Sequence, residues 1–142
     1  SMNVGELILA TSSYNEGSFA YSYNGENVHL VNSTSTLNNK IKEVAKNNDV
    51  LLHEGTIMTT EQFSFYSDEE HVLNRVPENI QIVGAEMESF ALFHNAKKFG
   101  KKAAQILTVT DNLITGERAS SENRQNDVMT MIEIAMESVI KL

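Results

Sequence analysis

Apolar residues along the chain gather into seven stretches separated by short polar ones. Residues 5–11 (GELILAT) form a short apolar run bounded by polar residues, the pattern of a buried strand. Residues 12–27 are rich in Ser, Tyr, Asn and Gly, with Asn24-Gly25 as a hairpin-type turn signal, so an irregular excursion or an exposed β-hairpin is expected there. Residues 28–31 make a short strand at best. Residues 33–36 offer several N-cap side chains, and Leu37, Ile41, Val44 and Ala45 then recur at offsets of 0, 4, 7 and 8. That spacing is one face of a helix, which ends at Asn47-Asn48.

Residues 49–59 (DVLLHEGTIMT) read as strand, and residues 60–67 place Phe63, Phe65 and Tyr66 among polar neighbours. Three rings in a polar loop want something to cover. Residues 79–85 (NIQIVGA) repeat the strand pattern after Pro77; residues 86–99 turn helical and stop at Gly100, behind Lys97 and Lys98. Residues 103–110 (AAQILTVT) are too uniformly apolar and β-branched for a strand with a wet face. A polar loop follows at 111–120. The last helix carries Val128, Met131, Ile132, Ala135, Met136, Val139 and Ile140 at offsets of 0, 3, 4, 7, 8, 11 and 12, a stripe expected to face the core.

Strands alternating with helices predict an α/β fold, a mixed, largely parallel sheet flanked by helices. With 41% hydrophobic residues in 142, one core and one domain over residues 3–142 are expected. Ser1-Met2 has the look of a tag remnant and receives no structural role. In such sheets ligands bind beyond the carboxyl ends of strands. Residues 84–89, residues 110–112 and the aromatic loop after Thr59 all leave strands, and in a parallel sheet they gather at one edge.

Charge narrows the function. Nineteen acidic residues against eleven Lys and Arg give a net charge of −8, which repels polyanions and argues against nucleic acid as partner. No apolar run approaches the ~20 residues that span a bilayer. Without cysteine there is no thiolate nucleophile, disulfide or Cys-ligated zinc, and the expected compartment is the cytoplasm. His29, His53, His71 and His94 lack metal-ligand spacing, so no metal is expected. Dinucleotide, P-loop and hydrolase glycine signatures are missing too.

Two constellations remain. Glu86 and Glu88 sit at a strand-to-helix junction, where a carboxylate either caps the helix or faces a pocket and accepts hydrogen bonds from a polyol. Asp111 ends an apolar strand, as a turn residue or as the partner of Arg124. Arg124 lies four residues before Val128 and so extends the stripe of the last helix. An arginine on a core-facing stripe needs an anion; a structural ion pair is the plainer outcome.

The runs Val83-Gly84-Ala85-Glu86-Met87-Glu88-Ser89, Leu107-Thr108-Val109-Thr110-Asp111-Asn112 and Thr115-Gly116-Glu117, leading to Ser121-Glu122-Asn123-Arg124-Gln125, closely resemble the bacterial-type (DeoD-like, hexameric) purine nucleoside phosphorylases. The likeness is strongest from about residue 55 to the end. It implies a nucleoside phosphorylase-like three-layer sandwich and conversion of a purine nucleoside and phosphate to base and ribose 1-phosphate. Asp111 matches the acid that protonates the purine N7, and Arg124 the arginine that closes toward it. Glu88 matches the carboxylate on the ribose 2′- and 3′-hydroxyls, with Met87 under the sugar and Glu86 and Thr110 beside the substrate. Phe65 matches the ring over the base. Because a permanently adjacent guanidinium favours the charged carboxylate, Arg124 is expected to approach only with substrate bound, making the loop at 112–120 a gate.

The resemblance also implies an N-terminal portion with phosphate-binding glycine and arginine residues, which this chain is expected to lack. Phosphate is the expected co-substrate, with no other cofactor, and the expected assembly is a homo-oligomer. Two other functions compete: a nucleosidase cleaving the same bond with water, and a non-catalytic nucleoside-binding remnant. Turnover in phosphate-free buffer marks the first, and binding without turnover the second.

Overall fold

The structure, a computed structural model, describes residues 2–63, 66 and 68–140; it does not describe the side chains of 69, 70, 121 and 123–127 inside two helices. The elements run β1 (Leu7–Tyr14), α1 (Phe19–Asn24), β2 (Leu30–Asn32), α2 (Ser35–Asn47), β3 (Leu52–Thr59), α3 (Glu69–Leu73), β4 (Ile82–Glu86), α4 (Ser89–Lys98), β5 (Ile106–Thr108) and α5 (Ser121–Ile140). The sheet has the order β2-β1-β3-β4, with β5 also paired to β1. It is mixed and flanked by helices, as the alternating pattern predicts. β3 and β4 are parallel, while β1 pairs antiparallel with both β2 and β5. None of the helices among the described residues is long and apolar enough to cross a membrane.

The chain divides into two compact units. The first comprises residues 1–9, 34–54 and 104–142. Leu9, Ile41, Val44, Ala45 and Ile134 are its buried centre, with Val50, Leu52, Ala104 and Ile106 packed against them. α2 forms where its pattern predicts, with Thr34 as N-cap residue and Ile41, Val44 and Ala45 buried. Asn48 at its end donates to the Val44 carbonyl and to Glu137 of α5, each at 2.9 Å.

Two expectations fail in this unit. The stripe of α5 is buried along one side only: Ile134 and Ser138 are buried and Val128, Met131 and Ala135 half-buried, whereas Ile132, Met136, Val139 and Ile140 are exposed. Within the unit α5 packs on α2 and β5, which cover a narrower arc than the apolar residues span. Ser138 can lie inward because its hydroxyl donates to the Ile134 carbonyl at 2.6 Å. The second failure is β5, three residues long and half-buried throughout. It runs antiparallel along Leu7–Leu9, so a continuous apolar strand here does not mean a parallel one.

The second unit comprises residues 10–33 and 55–103. Here residues 12–27 form no hairpin and are irregular only in part, at 15–18 and 25–27: Ser12–Tyr14 complete β1 and residues 19–24 form α1. Gly25, at φ 76°, ends that helix in the left-handed conformation, its N–H donating to the Tyr21 carbonyl. The same Asn-Gly signal serves a helix end as well as a hairpin turn. Phe19 and Tyr23 of α1 lie against Phe90 and His94 of α4 at ring separations of 5.6–6.1 Å. Gly55 lets β3 approach β4, since a Cβ there would meet the Val83 side chain at 2.5 Å.

Candidate active site

The residues singled out from the sequence fall in both units: Glu86, Met87 and Glu88 in the second, Thr110, Asp111 and Arg124 in the first. The Arg124 side chain and all of Phe65 lie outside the described residues.

In the second unit, parallel pairing in register places Thr59 beside Glu86, the last residues of β3 and β4. The Thr60 N–H donates to the Glu86 carbonyl at 2.8 Å, and Asn15 Nδ2 to the Thr59 carbonyl at 2.9 Å. The strand exits are thus tied together, and α4 starts three residues beyond Glu86. The Glu86 carboxylate accepts the Thr59 hydroxyl on Oε1 at 2.7 Å, and on Oε2 the N–H groups of Glu88 at 2.9 Å and Ser89 at 2.8 Å. Amides at a helix start have no partner within the helix, and a negative charge there is favoured by the helix dipole. Glu86 therefore has the geometry of a cap.

Glu88 has a different surrounding. It is the N-cap residue of α4, yet its side chain makes no capping hydrogen bond. Its carboxylate is exposed and takes only the Met87 N–H, at 3.3 Å, among the described contacts. Met87 beside it is 44% exposed. An acceptor and a thioether thus stand at the carboxyl ends of two parallel strands, suited to hydroxyls and an apolar ring face.

In the first unit, the residues after β5 continue along the start of β1: the Gly5 N–H donates to the Val109 carbonyl at 2.8 Å and the Val109 N–H to the Glu6 carbonyl at 2.9 Å. The Thr110 hydroxyl donates to Asp111 Oδ2 at 2.9 Å. Asp111 pairs across the loop with Arg118, whose Nε lies 3.8 Å from Oδ1. The loop expected as a gate is internally bonded. Asn112 Oδ1 accepts the N–H groups of Ile114 and Thr115 at 2.9 and 3.0 Å, and the Asn112 N–H donates to the Glu117 carbonyl at 2.9 Å. Asn112 Nδ2 reaches the Met2 carbonyl at 2.7 Å.

Arg118 is the charged neighbour that reading the sequence missed. The available signal was the Thr115-Gly116-Glu117 turn, which folds the loop back and brings positions 111 and 118 face to face. Nearby, Glu6 is bonded by the Asn3 N–H and side-chain amide and by His53, all at 2.9 Å. The Asn3 bonds foremost, with His53 a smaller cause, hold its carboxyl below the ordinary 4.5. In the second unit, burial first and Glu16 next push the Tyr14 phenol up.

A crevice of about 270 Å³ in the second unit is lined by Glu16, Tyr21, Glu26, Asn27 and His29 among others, none of them singled out from the sequence. Among the described residues no three His, Asp or Glu side chains come together to hold a metal ion.

A DeoD-type purine nucleoside phosphorylase of Oceanobacillus iheyensis is 39% identical over 90 residues, covering 63% of this chain and 37% of the relative. Another, from Mycoplasma genitalium, is 33% identical over 139 residues, covering 96% of this chain and 57% of the relative. The chain thus spans about half the length of the curated relatives it matches. Among solved structures, futalosine hydrolase of Helicobacter pylori strain 26695 matches all of this chain with 62% of its own, at a TM-score of 0.76 and 19% identity. Helicobacter pylori MTAN matches 99% of this chain with 62% of its own, at a TM-score of 0.75 and 19% identity. These show the fold, a nucleoside phosphorylase or nucleosidase type. The family model described as Phosphorylase superfamily matches residues 1–142, and the chain belongs to that superfamily.

Proposed function

We propose that this chain carries the nucleoside-binding part of a purine nucleoside phosphorylase, the activity named for its relatives in Oceanobacillus iheyensis and Mycoplasma genitalium. The reaction is purine nucleoside plus phosphate giving purine base and ribose 1-phosphate. The observation that carries this reading is the division of labour between two glutamates: Glu86 and Thr59 take the capping of α4, and Glu88 is left exposed at the strand ends.

Cleavage of an N-glycosidic bond through an oxocarbenium-like state puts positive charge on the sugar and negative charge on the leaving base. Glu88 then accepts the ribose 2′- and 3′-hydroxyls, and its hydrogen bonds strengthen as the sugar becomes cationic. Met87 packs under the sugar and Phe65 over the base, with Glu86 holding the helix start and Thr110 the orientation of Asp111. Asp111 delivers a proton to N7, a form of help typically worth about 10²–10⁴-fold. Arg124 closes toward Asp111 once substrate is in place. The same reading makes phosphate the co-substrate, needs no other cofactor, and expects a homo-oligomer in the cytoplasm.

Incubation of the chain with inosine or adenosine, with and without phosphate, tests it by chromatography of the released base. Release only with phosphate supports phosphorolysis. Release without phosphate favours hydrolysis, the reading to which the Helicobacter pylori nucleosidase and hydrolase folds lend support. No release in either buffer overturns catalysis by this polypeptide and leaves a nucleoside-binding role.

A further inference from the structure

We propose that Thr59 is a positioning residue for Glu88, its hydroxyl holding the start of α4 so that the Glu88 carboxylate remains available to a ribose. This rests on the reading of Glu88 as the acceptor of the sugar hydroxyls.

Thr59 is 5% exposed, and three partners surround its hydroxyl: Glu86 Oε1 at 2.7 Å, Ser13 Oγ at 2.8 Å and the Phe90 N–H at 2.9 Å. A threonine hydroxyl has one hydrogen and two lone pairs. The Phe90 amide can only donate, and the Thr59 hydrogen goes to the Glu86 carboxylate, so Ser13 donates into the remaining lone pair. The hydroxyl is then saturated and its direction is set.

The consequence falls on α4. A helix begins with four amides that lack partners within it. Here Glu86 receives those of Glu88 and Ser89, and Thr59 receives that of Phe90. Two strand-end side chains thus perform the capping that an N-cap side chain ordinarily performs. Glu88, which occupies the N-cap position, keeps its carboxylate out of the helix. Without the Thr59 hydroxyl the Phe90 amide has no acceptor, Glu86 loses the donor that orients it, and the Glu88 carboxylate becomes the nearest replacement cap. The sugar acceptor would then be drawn onto its own helix.

The test compares wild type, Thr59→Val, which keeps the shape and removes the hydroxyl, and Thr59→Ser, which restores it. Each is titrated with inosine and with 2′,3′-dideoxyinosine, and amide hydrogen exchange is followed at Ser89 and Phe90. The expected wild-type preference for inosine is about tenfold, the scale of one hydrogen bond to a charged group. Thr59→Val is expected to lose that preference while binding the dideoxy compound as before, with faster exchange at both amides; Thr59→Ser is expected to recover both. Equal loss of both ligands in Thr59→Val, or an unchanged preference, overturns the proposal. If Thr59→Val does not fold, Ser13→Ala, which removes only the donor into Thr59, must lower the preference in the same direction, and an unchanged preference there overturns it. If wild type shows no preference, the role of Glu88 fails and this proposal with it. A wild-type preference that survives Thr59→Val spares Glu88 and removes only Thr59.

Discussion

Glu86 Oε2 accepts the Ser89 N–H at 2.8 Å, while Glu88, closer in sequence to that amide, makes no capping bond at all. Two glutamates two positions apart are therefore expected to answer substitution differently. Glu86→Ala removes a cap and the acceptor for Thr59, and is predicted to cost about 1–3 kcal/mol. Glu88→Ala touches an exposed side chain and is predicted to change stability by less than about 0.5 kcal/mol. Urea unfolding of both variants checks this; equal losses would mean that the two carboxylates share the capping.

Asp111 and Arg118 make a looser pair. At 3.8 Å, with the arginine side chain 78% exposed, the interaction is screened by water and is worth about 0–1 kcal/mol at most. Arg118→Ala is predicted to leave the unfolding midpoint nearly unchanged. Asp111→Asn removes the proposed proton donor, and is predicted to lower the rate of base release by about 10²–10⁴-fold with little change in stability. Progress curves with inosine and phosphate measure the first effect and thermal melts the second.

The start of β1 should respond to acid. Glu6 has a carboxyl held below its ordinary 4.5 in the folded chain, chiefly by Asn3. A depressed value contributes stability above the unfolded pKa, and that contribution is lost as pH falls through the folded one. Glu6→Gln is therefore predicted to melt lower than wild type at pH 7, with the gap closing below about pH 4. Melting curves across that range decide it; a gap that widens on acidification contradicts the assignment.

Much of this fold is legible in the residues, and the misses have physical causes. α2 is readable because Thr34 starts it and Ile41, Val44 and Ala45 mark one narrow face. α5 is readable as a helix but not in its rotation, since its apolar residues cover more of the surface than α2 and β5 can bury. Asn24-Gly25 misleads because a left-handed glycine ends helices and turns hairpins alike. For the site, spacing alone could not decide between Glu86 and Glu88. That decision lies in long-range contacts, the Thr59 hydroxyl 27 positions away from Glu86 and the pairing of β3 with β4. Arg118 was hidden for the opposite reason, since the likeness drew attention to Arg124 and only the folded loop brings Arg118 beside Asp111.

The most direct test of the whole account is calorimetric titration of inosine into the wild-type chain and into Glu88→Ala. Wild type is predicted to bind, and the variant to bind about 10–100-fold more weakly, as expected for loss of a charged acceptor of hydrogen bonds. No binding to wild type at millimolar inosine, or equal affinity in the two proteins, would contradict the claim that the exposed Glu88 carboxylate at the start of α4 holds the sugar.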